Sequence, residues 1–287
     1  MTTAVRAAPP AFEASLVGTI ARKELRDAIR NRWFWLYAAA FAGLAAVLAN
    51  LALPGATVAG YGAFGRSASS LVALVQLIVP LMGLTLGAQA ITGQQERGTL
   101  RFLLSHPISR TEAFLGTYLG LVLALFATIA AGFGAAGLVT GLRGGAADAA
   151  AFTRIAALSW VLAAGMLALG MLVSSFTRKS GVAMGSALFL WLGLVFLGDL
   201  GLMGTAVATR MPVSVLFFSA AANPVEAFRL ATLTSFQGSL DVLGPAGTYA
   251  VDRFGDALDP ILIGVLVLWV MLPVTAAWAR FTRGKDI

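Results

Sequence analysis

An all-α, polytopic membrane protein with six transmembrane helices is the fold this sequence predicts, and three observations carry it. The 287-residue chain is 59% hydrophobic and 11% charged, too little polar surface to cover a soluble core of this size. Six apolar runs, at 33–53, 69–91, 112–142, 155–176, 181–203 and 259–281, each reach the ~20 residues that carry a helix across the ~30 Å hydrocarbon layer. Positive charge also alternates from loop to loop. Of the 20 lysines and arginines, 14 fall at the N-terminus, in 92–111, in 177–180 or after 279, segments that share one side of a six-span protein. The positive-inside rule puts that side, and both termini, in the cytoplasm. The opposite loops carry Arg66, Arg143, Arg154, Arg210, Arg229 and Arg253, set against Asp148, Glu226, Asp241, Asp252, Asp256 and Asp259. The net charge of +7 is thus a signal of topology and of contact with the lipid bilayer; no nucleic-acid partner is expected.

Residues 1–12 read as a disordered lead. No cleavable signal peptide is expected, because the first apolar run begins some thirty residues in. Residues 13–32 put Leu16, Val17, Ile20, Ala21, Leu25, Ala28 and Ile29 on one stripe, with Arg22, Lys23, Arg26 and Arg30 on the flanking and opposite faces. That periodicity predicts an amphipathic helix lying along the cytoplasmic membrane surface. Trp33 and Trp35 follow at the interface, where indole rings collect.

Residues 33–287 form one six-helix transmembrane domain. Small residues recur at every fourth position within it: Gly83 and Gly87 in the second run, Gly116, Gly120, Ala124, Thr128, Gly132 and Ala136 in the third, Gly181, Gly185 and Gly193 in the fifth. Such lines let helix backbones approach closely and predict tight packing inside one bundle rather than a substrate path. The third run is long enough to tilt strongly or to project beyond the bilayer. Polar groups in the interior of the spans are few: Asn50, Gln76, Gln89 and Asp199, the last an acid lying near the outer end of its helix.

Two connecting stretches stand out. Residues 92–110 face the cytoplasm and combine charge, Gly98, an apolar patch (Leu100, Phe102, Leu103, Leu104) and Pro107. The segment is too apolar to hang in water, so it lies against the membrane or a partner. Ser109 followed by Glu112 has capping-box spacing and starts the third helix near Arg110. The outer element, 204–258, contains Asn223 as an N-cap, Pro224 at the first helical position and Glu226 at the third, with Arg229 one turn on in a short helix running towards Phe236. Gly238, Gly244, Pro245 and Gly247 break the chain beyond that helix. This element either caps the bundle or docks an external protein.

No catalytic residue and no metal site is expected. Cysteine is absent, and the single histidine, His106, cannot form a histidine-pair site. No glycine-rich phosphate loop ends in Gly-Lys-Ser or Gly-Lys-Thr. Lys23, Lys179 and Lys285 all lie in cytoplasmic segments, which leaves an intramembrane serine without a lysine partner. Met203 and Met211, near the outer face, read as packing residues before metal ligands.

The loop after the second span resembles that of the ABC-2 type permease family, which reads as an acid, Gly-Thr-Leu, leucines, a proline and Ser-Arg. Here the sequence is Glu96-Arg97-Gly98-Thr99-Leu100, then Leu103-Leu104, then Pro107-Ile108-Ser109-Arg110. Two further stretches, Ala21-Arg22-Lys23-Glu24-Leu25-Arg26-Asp27 with Arg30-Asn31-Arg32-Trp33, and Asn223-Pro224-Val225-Glu226-Ala227-Phe228-Arg229-Leu230, are similar to permease subunits of the copper-processing systems that mature nitrous oxide reductase. The resemblance runs from about Ala21 to the C-terminus. It departs at Glu226-Ala227-Phe228, where that group more often has an aspartate and a bulkier pair, and at Arg97 beside Glu96.

The resemblance implies a permease subunit without ATPase or other enzymatic activity of its own. It would pair with a second copy and with two cytoplasmic ABC ATPase subunits, which bind the ATP and Mg; this chain holds no cofactor. Glu96, Gly98, Thr99, Leu100, Phe102, Leu103, Leu104, Pro107 and Arg110 would form the ATPase-coupling element. Asn223, Pro224, Glu226, Phe228 and Arg229 would engage a periplasmic β-helical repeat protein handling copper or sulfur. The alternative is an exporter of a small hydrophobic compound, a lipid-linked glycan or a peptide. A secondary carrier fits poorly because intramembrane charges are sparse, and an intramembrane hydrolase lacks its polar partners.

Overall fold

A computed structural model describes residues 12–51, 63–105, 107–142, 149–197, 212–234 and 245–283. Among these the chain is helical, with no strand. In order they form α1 (Ala14–Arg30), α2 (Arg32–Leu51), α3 (Ala63–Glu96), α4 (Thr99–Leu104), α5 (Arg110–Leu142), α6 (Ala149–Phe176) and α7 (Ser180–Leu192), which continues as π-helix over Gly193–Leu197. Then come α8 (Val213–Ala222), α9 (Pro224–Leu233), α10 (Pro245–Phe254), a 3₁₀ turn (Gly255–Ala257) and α11 (Leu258–Arg283). Residues 1–11, His106, Asp199, Met203, Met211, Phe236, Gly238 and Gly244 lie outside the described residues.

Four stretches are long and apolar enough to cross a membrane: Ser70–Glu96, Arg110–Val139, Phe152–Phe176 and Asp252–Arg283. They correspond to the second, third, fourth and sixth predicted runs. The first and fifth are represented by shorter apolar helices, Phe34–Leu48 and Ser180–Phe196.

The centre of the bundle is a parallel pair, α3 and α6, and glycine makes it possible. A Cβ placed on Gly87 would meet the Leu167 carbonyl oxygen at 2.3 Å, and one on Gly170 would meet that of Leu84 at 2.4 Å. Backbone thus packs on backbone, the arrangement small-residue spacing allows. Leu84, Ala88, Met166, Leu167 and Met171 are buried around the contact. Further down the same seam the Ser174 hydroxyl accepts from the Thr92 backbone N–H at 3.0 Å and lies 3.4 Å from the Thr92 hydroxyl, stitching the two helices with polar bonds. On another side of α6, Gly165 lies against the Trp269 backbone of α11.

The small-residue line of α5 seats the N-terminal pair. A Cβ on Gly116 would strike Ile20, one on Gly120 the Ala21 carbonyl, and one on Gly132 the Phe41 ring; Ala124, Thr128 and Ala136 between and beyond them are buried. The predicted stripe of α1 is thereby answered by protein: Val17, Ile20 and Ala21 are buried, while Leu16, Leu25 and Ala28 are half-covered. The line on α7 behaves differently. Among the described residues nothing lies within 4 Å of a Cβ on Gly181, Gly185 or Gly193, so this line makes no close backbone contact with them.

This contrast is testable. Gly87→Ala pushes a methyl into a carbonyl that cannot retreat without separating α3 from α6, an overpacking that costs about 1–3 kcal/mol. It is expected to lower the thermal midpoint of the detergent-purified protein, whereas Gly185→Ala is expected to leave it unchanged. Equal midpoints would contradict the backbone contact.

Candidate functional site

The segments predicted to share the cytoplasmic side meet at one end of the bundle. The starts of α1 and α5, the end of α3 and start of α7, and the start of α5 and end of α11 are each joined by hydrogen bonds. Arg280, in the last turn of α11, also sits 5.5 Å over the Phe176 ring at the end of α6.

At this end the 92–110 segment is an ordered turn and helix. α3 stops at Glu96, and Gly98 adopts φ 70°, the left-handed conformation that glycine takes without steric cost. The short α4 then divides the predicted apolar patch. Leu100 is 3% exposed and points into a small cavity lined by Ile91, Phe114, Met171 and Phe281. Phe102 is 70% exposed, and Leu103 is half-buried. Leu100 therefore anchors the helix to its own chain. Thr99 is exposed and its hydroxyl bonds the Gln94 carbonyl; Pro107 is exposed, and the Arg110 guanidinium donates to the Phe281 carbonyl at 3.4 Å.

Two carboxylates fix the ends of the segment. Glu96 accepts from the Ser180 backbone N–H at 2.8 Å. Lys179 at the N-cap of α7 makes no side-chain cap bond, so Glu96 supplies both an acceptor and the negative charge favoured at a helix start. Glu112 closes the predicted capping box: one oxygen accepts from the Ser109 N–H at 2.7 Å, and the Ser109 hydroxyl accepts from the Glu112 N–H at 3.2 Å. Its second oxygen accepts from the Glu13 N–H at 2.5 Å. One fully buried carboxylate thus serves the starts of both α5 and α1. Sequence spacing indicated the first bond and had no signal for the second, which joins residues 99 positions apart.

Nearby, Glu24 accepts from the Gln94 amide at 3.1 Å and from Lys23 at 2.9 Å, and Lys23 also pairs with Asp27 at 3.3 Å. Partial burial alone would push the Lys23 ammonium's pKa down, but the hydrogen bonds and charges of these two acids outweigh it and hold the pKa above its ordinary value.

The opposite end holds the outer element, and here a sequence expectation changes. Asn223 is the N-cap of α9 as predicted: its Oδ1 accepts from the Val225 N–H at 2.9 Å, with Pro224 at the first position. Its amide nitrogen donates to the Leu194 carbonyl in the π-helical stretch at 2.7 Å. The Trp269 indole reaches the Ala222 carbonyl at the α8–α9 turn, while Thr234 at the far end of α9 bonds Asp259. Trp269 and Asp259 are ten residues apart on α11, roughly 15 Å along a helix. The α8–α9 hairpin therefore dips into the bundle, with Asn223 at its deep end, where non-helical backbone must find partners in the protein.

Pro224, Glu226 and Phe228 are buried in this wedge, so they are not available to dock an external protein. Arg229 keeps partial exposure and lies 3.7 Å from Glu226. Their contacts, among the described residues, are with the rest of the bundle. Sequence reasoning also passed over the lock beside them. Arg154 of α6 forms an ion pair with Asp259 of α11 and donates to the Ala231 carbonyl and the Thr234 hydroxyl, joining three helices. Among the described residues no three His, Cys, Asp or Glu side chains gather as a metal site.

Comparisons with known proteins find a family and two relatives over nearly the whole chain. The family model described as "ABC-2 family transporter protein" matches residues 18–285. A "Probable ABC transporter permease protein NosY" of Pseudomonas aeruginosa is 35% identical over 276 residues, 93% of this chain and 98% of the relative. Its counterpart of the same description in Stutzerimonas stutzeri is 31% identical over 275 residues, again 93% and 98% of the two chains.

Removing the doubly used carboxylate tests this junction of α1 and α5. Glu112→Ala leaves the part-buried Ser109 and Glu13 hydrogen bonds without their acceptor, at about 0.5–1.5 kcal/mol for each bond lost. Limited trypsin digestion is expected to cut within α1, at Arg22 to Arg30, several-fold faster than in the parent protein. An unchanged cleavage rate would show that Glu112 does not hold α1 down.

Proposed function

Because the chain belongs to the ABC-2 family of transporter proteins and is the membrane permease subunit of an ABC transporter, we propose that it converts ATP hydrolysis in separate cytoplasmic ATPase subunits into movement of its own helices. Two copies would assemble with two ATPases in a bacterial inner membrane, with both termini in the cytoplasm. α2 and α7 would serve as the first and fifth of six spans, and α1 would lie along the cytoplasmic surface.

The observation that carries this reading is the exposure of Phe102 at the tip of α4. A large aromatic presented to solvent on a six-residue helix, held between capped ends, suits insertion into an apolar groove of a partner. Leu103 would sit at the rim of the contact. Glu96, Gly98, Thr99, Pro107 and Arg110 would set the position of α4 without themselves entering the partner, and Leu100 would transmit its movement to α3, α5 and α6. ATP and Mg would be bound by the ATPases alone.

This movement would support copper or sulfur delivery during nitrous oxide reductase maturation. Full-length similarity to the NosY permease proteins and the loop resemblances already described support that role. A periplasmic NosD-like β-helical protein would then be the outer partner. With Pro224, Glu226 and Phe228 covered, Arg229 is the docking residue that remains, together with the segments flanking α8 and α9. The same burial supports the second reading, export of a small hydrophobic compound, a lipid-linked glycan or a peptide, in which no external protein is needed.

Two substitutions separate coupling from folding. Phe102→Asp is expected to reduce co-purification of the ATPase at least tenfold while leaving membrane insertion and thermal stability intact. Leu100→Ala is expected to lower stability by about 2–5 kcal/mol, the usual range for a buried leucine. Full retention of the ATPase by the Phe102→Asp protein would remove α4 as the coupling element.

A further inference from the structure

The exposed face of α1 carries two adjacent lines of charge that the structure treats differently. On one line Lys23 and Asp27, four residues apart, neutralise each other, with Glu24 taking part. On the next line Arg22, Arg26 and Arg30, also four residues apart, are all exposed, and Arg32 is exposed just beyond. Among the described residues none of these four arginines forms an ion pair. The acids of α1 that could serve them, Glu24 and Asp27, are engaged by Lys23 and Gln94. Like charges at this helical spacing repel modestly, a repulsion that an anion lying against the row would relieve.

The side chains beside the row identify the anion. Ile29, on the same side of α1, and Trp35 and Leu36, at the start of α2, are 38%, 59% and 57% exposed. The Trp35 indole N–H donates to the Ile29 carbonyl at 2.7 Å, which fixes the ring at the elbow between the two helices. Phe34, Ala38 and Phe41 on the other face of α2 are buried in the protein. A guanidinium row bordered by apolar side chains and a tethered indole, at the point where a surface helix turns into an apolar one, matches the boundary between headgroups and acyl chains. A cytosolic acidic protein would satisfy the arginines but would leave Ile29, Trp35 and Leu36 without apolar cover.

We propose that Arg22, Arg26, Arg30 and Arg32, with Trp35, form a binding surface for anionic phospholipid headgroups at the α1–α2 elbow. The proposal rests on the reading that places α1 on the cytoplasmic membrane surface. Each guanidinium would contact a phosphate oxygen as a charge-assisted hydrogen-bond donor, and Trp35 would sit at the glycerol level. A basic group near an anionic bilayer surface strengthens attachment about fivefold, so the row favours anionic over zwitterionic lipid. Because α1 is seated on Gly116 and Gly120 of α5, lipid held here bears on the helix that begins at the coupling segment.

The experiment is native mass spectrometry of the full chain, purified in mild detergent and offered equal amounts of phosphatidylglycerol and phosphatidylcholine with matched acyl chains. The parent protein is expected to retain phosphatidylglycerol at least fivefold over phosphatidylcholine. The triple variant Arg22→Gln, Arg26→Gln, Arg30→Gln is expected to fall to near parity, the corresponding Arg→Lys triple to keep most of the preference, and Lys23→Gln to keep all of it. Val17, Ile20 and Ala21 still seat α1 in every variant, and an unchanged thermal midpoint verifies this. No preference in the parent, or an equal preference in the Gln triple, would overturn the proposal. So would loss of the ATPase by the Gln triple with lipid preference intact, which would assign the row to that partner. Protease access to an N-terminal tag in sealed cells separates the two levels: cleavage from outside refutes the membrane orientation itself, whereas protection without lipid preference refutes only the lipid site.

Discussion

The architecture depends on the close approach of two backbones. Gly87 and Gly170 bring α3 and α6 so near that neither position can accept a methyl group, and the polar stitch of Ser174 to Thr92 continues the same seam. In a membrane, apolar side chains gain little by leaving lipid for protein, so helices associate through close packing and a few hydrogen bonds. α3 and α6 meet both conditions. α11 is applied to α6 through Gly165, while α5 receives α1 and α2 through Gly116, Gly120 and Gly132.

That rigidity gives the α4 end of the bundle its mechanical character. α4 joins the ends of α3 and α5, is rooted by Leu100, and is bound through Glu96 to α7 and through Glu112 to α1. A push on Phe102 would therefore be delivered to several helices together. At the other end Arg154, Asp259 and Thr234 tie α6, α9 and α11, so movement of the central pair would reach the α8–α9 wedge as displacement of a packed body. Cores packed at this density shift between discrete arrangements rather than deform smoothly.

How much of this was legible in the sequence depends on the range of each interaction. The Ser109–Glu112 box and the Asn223-Pro224 helix start are local, and both appear where spacing placed them. The glycine lines declared close approach but could not name a partner, which is why the α7 line, open in one chain, looked like the others. The second bond of Glu112, to Glu13, and the bond from Asn223 to Leu194 join distant segments and leave no local pattern. The burial of α9 was the larger miss. Its charges, Glu226 and Arg229, suggested a surface, yet Val225, Ala227, Phe228, Leu230 and Ala231 make it apolar around most of its circumference, the pattern of a buried helix. Leu100 and Phe102 show the same limit on a smaller scale: two apolar residues on a six-residue helix, one facing in and one out, a distinction set by tertiary contact alone.

The absence of cysteine from the chain makes the most direct test simple. Phe102→Cys and Arg229→Cys, each as the only cysteine and each carrying the same short photo-cross-linker, would be compared in the intact complex in native membranes. Cross-linking of position 102 to the ATPase, with none from position 229, is the expected result. An ATPase adduct from position 229, or none from position 102 in a complex that still hydrolyses ATP, would contradict coupling through α4.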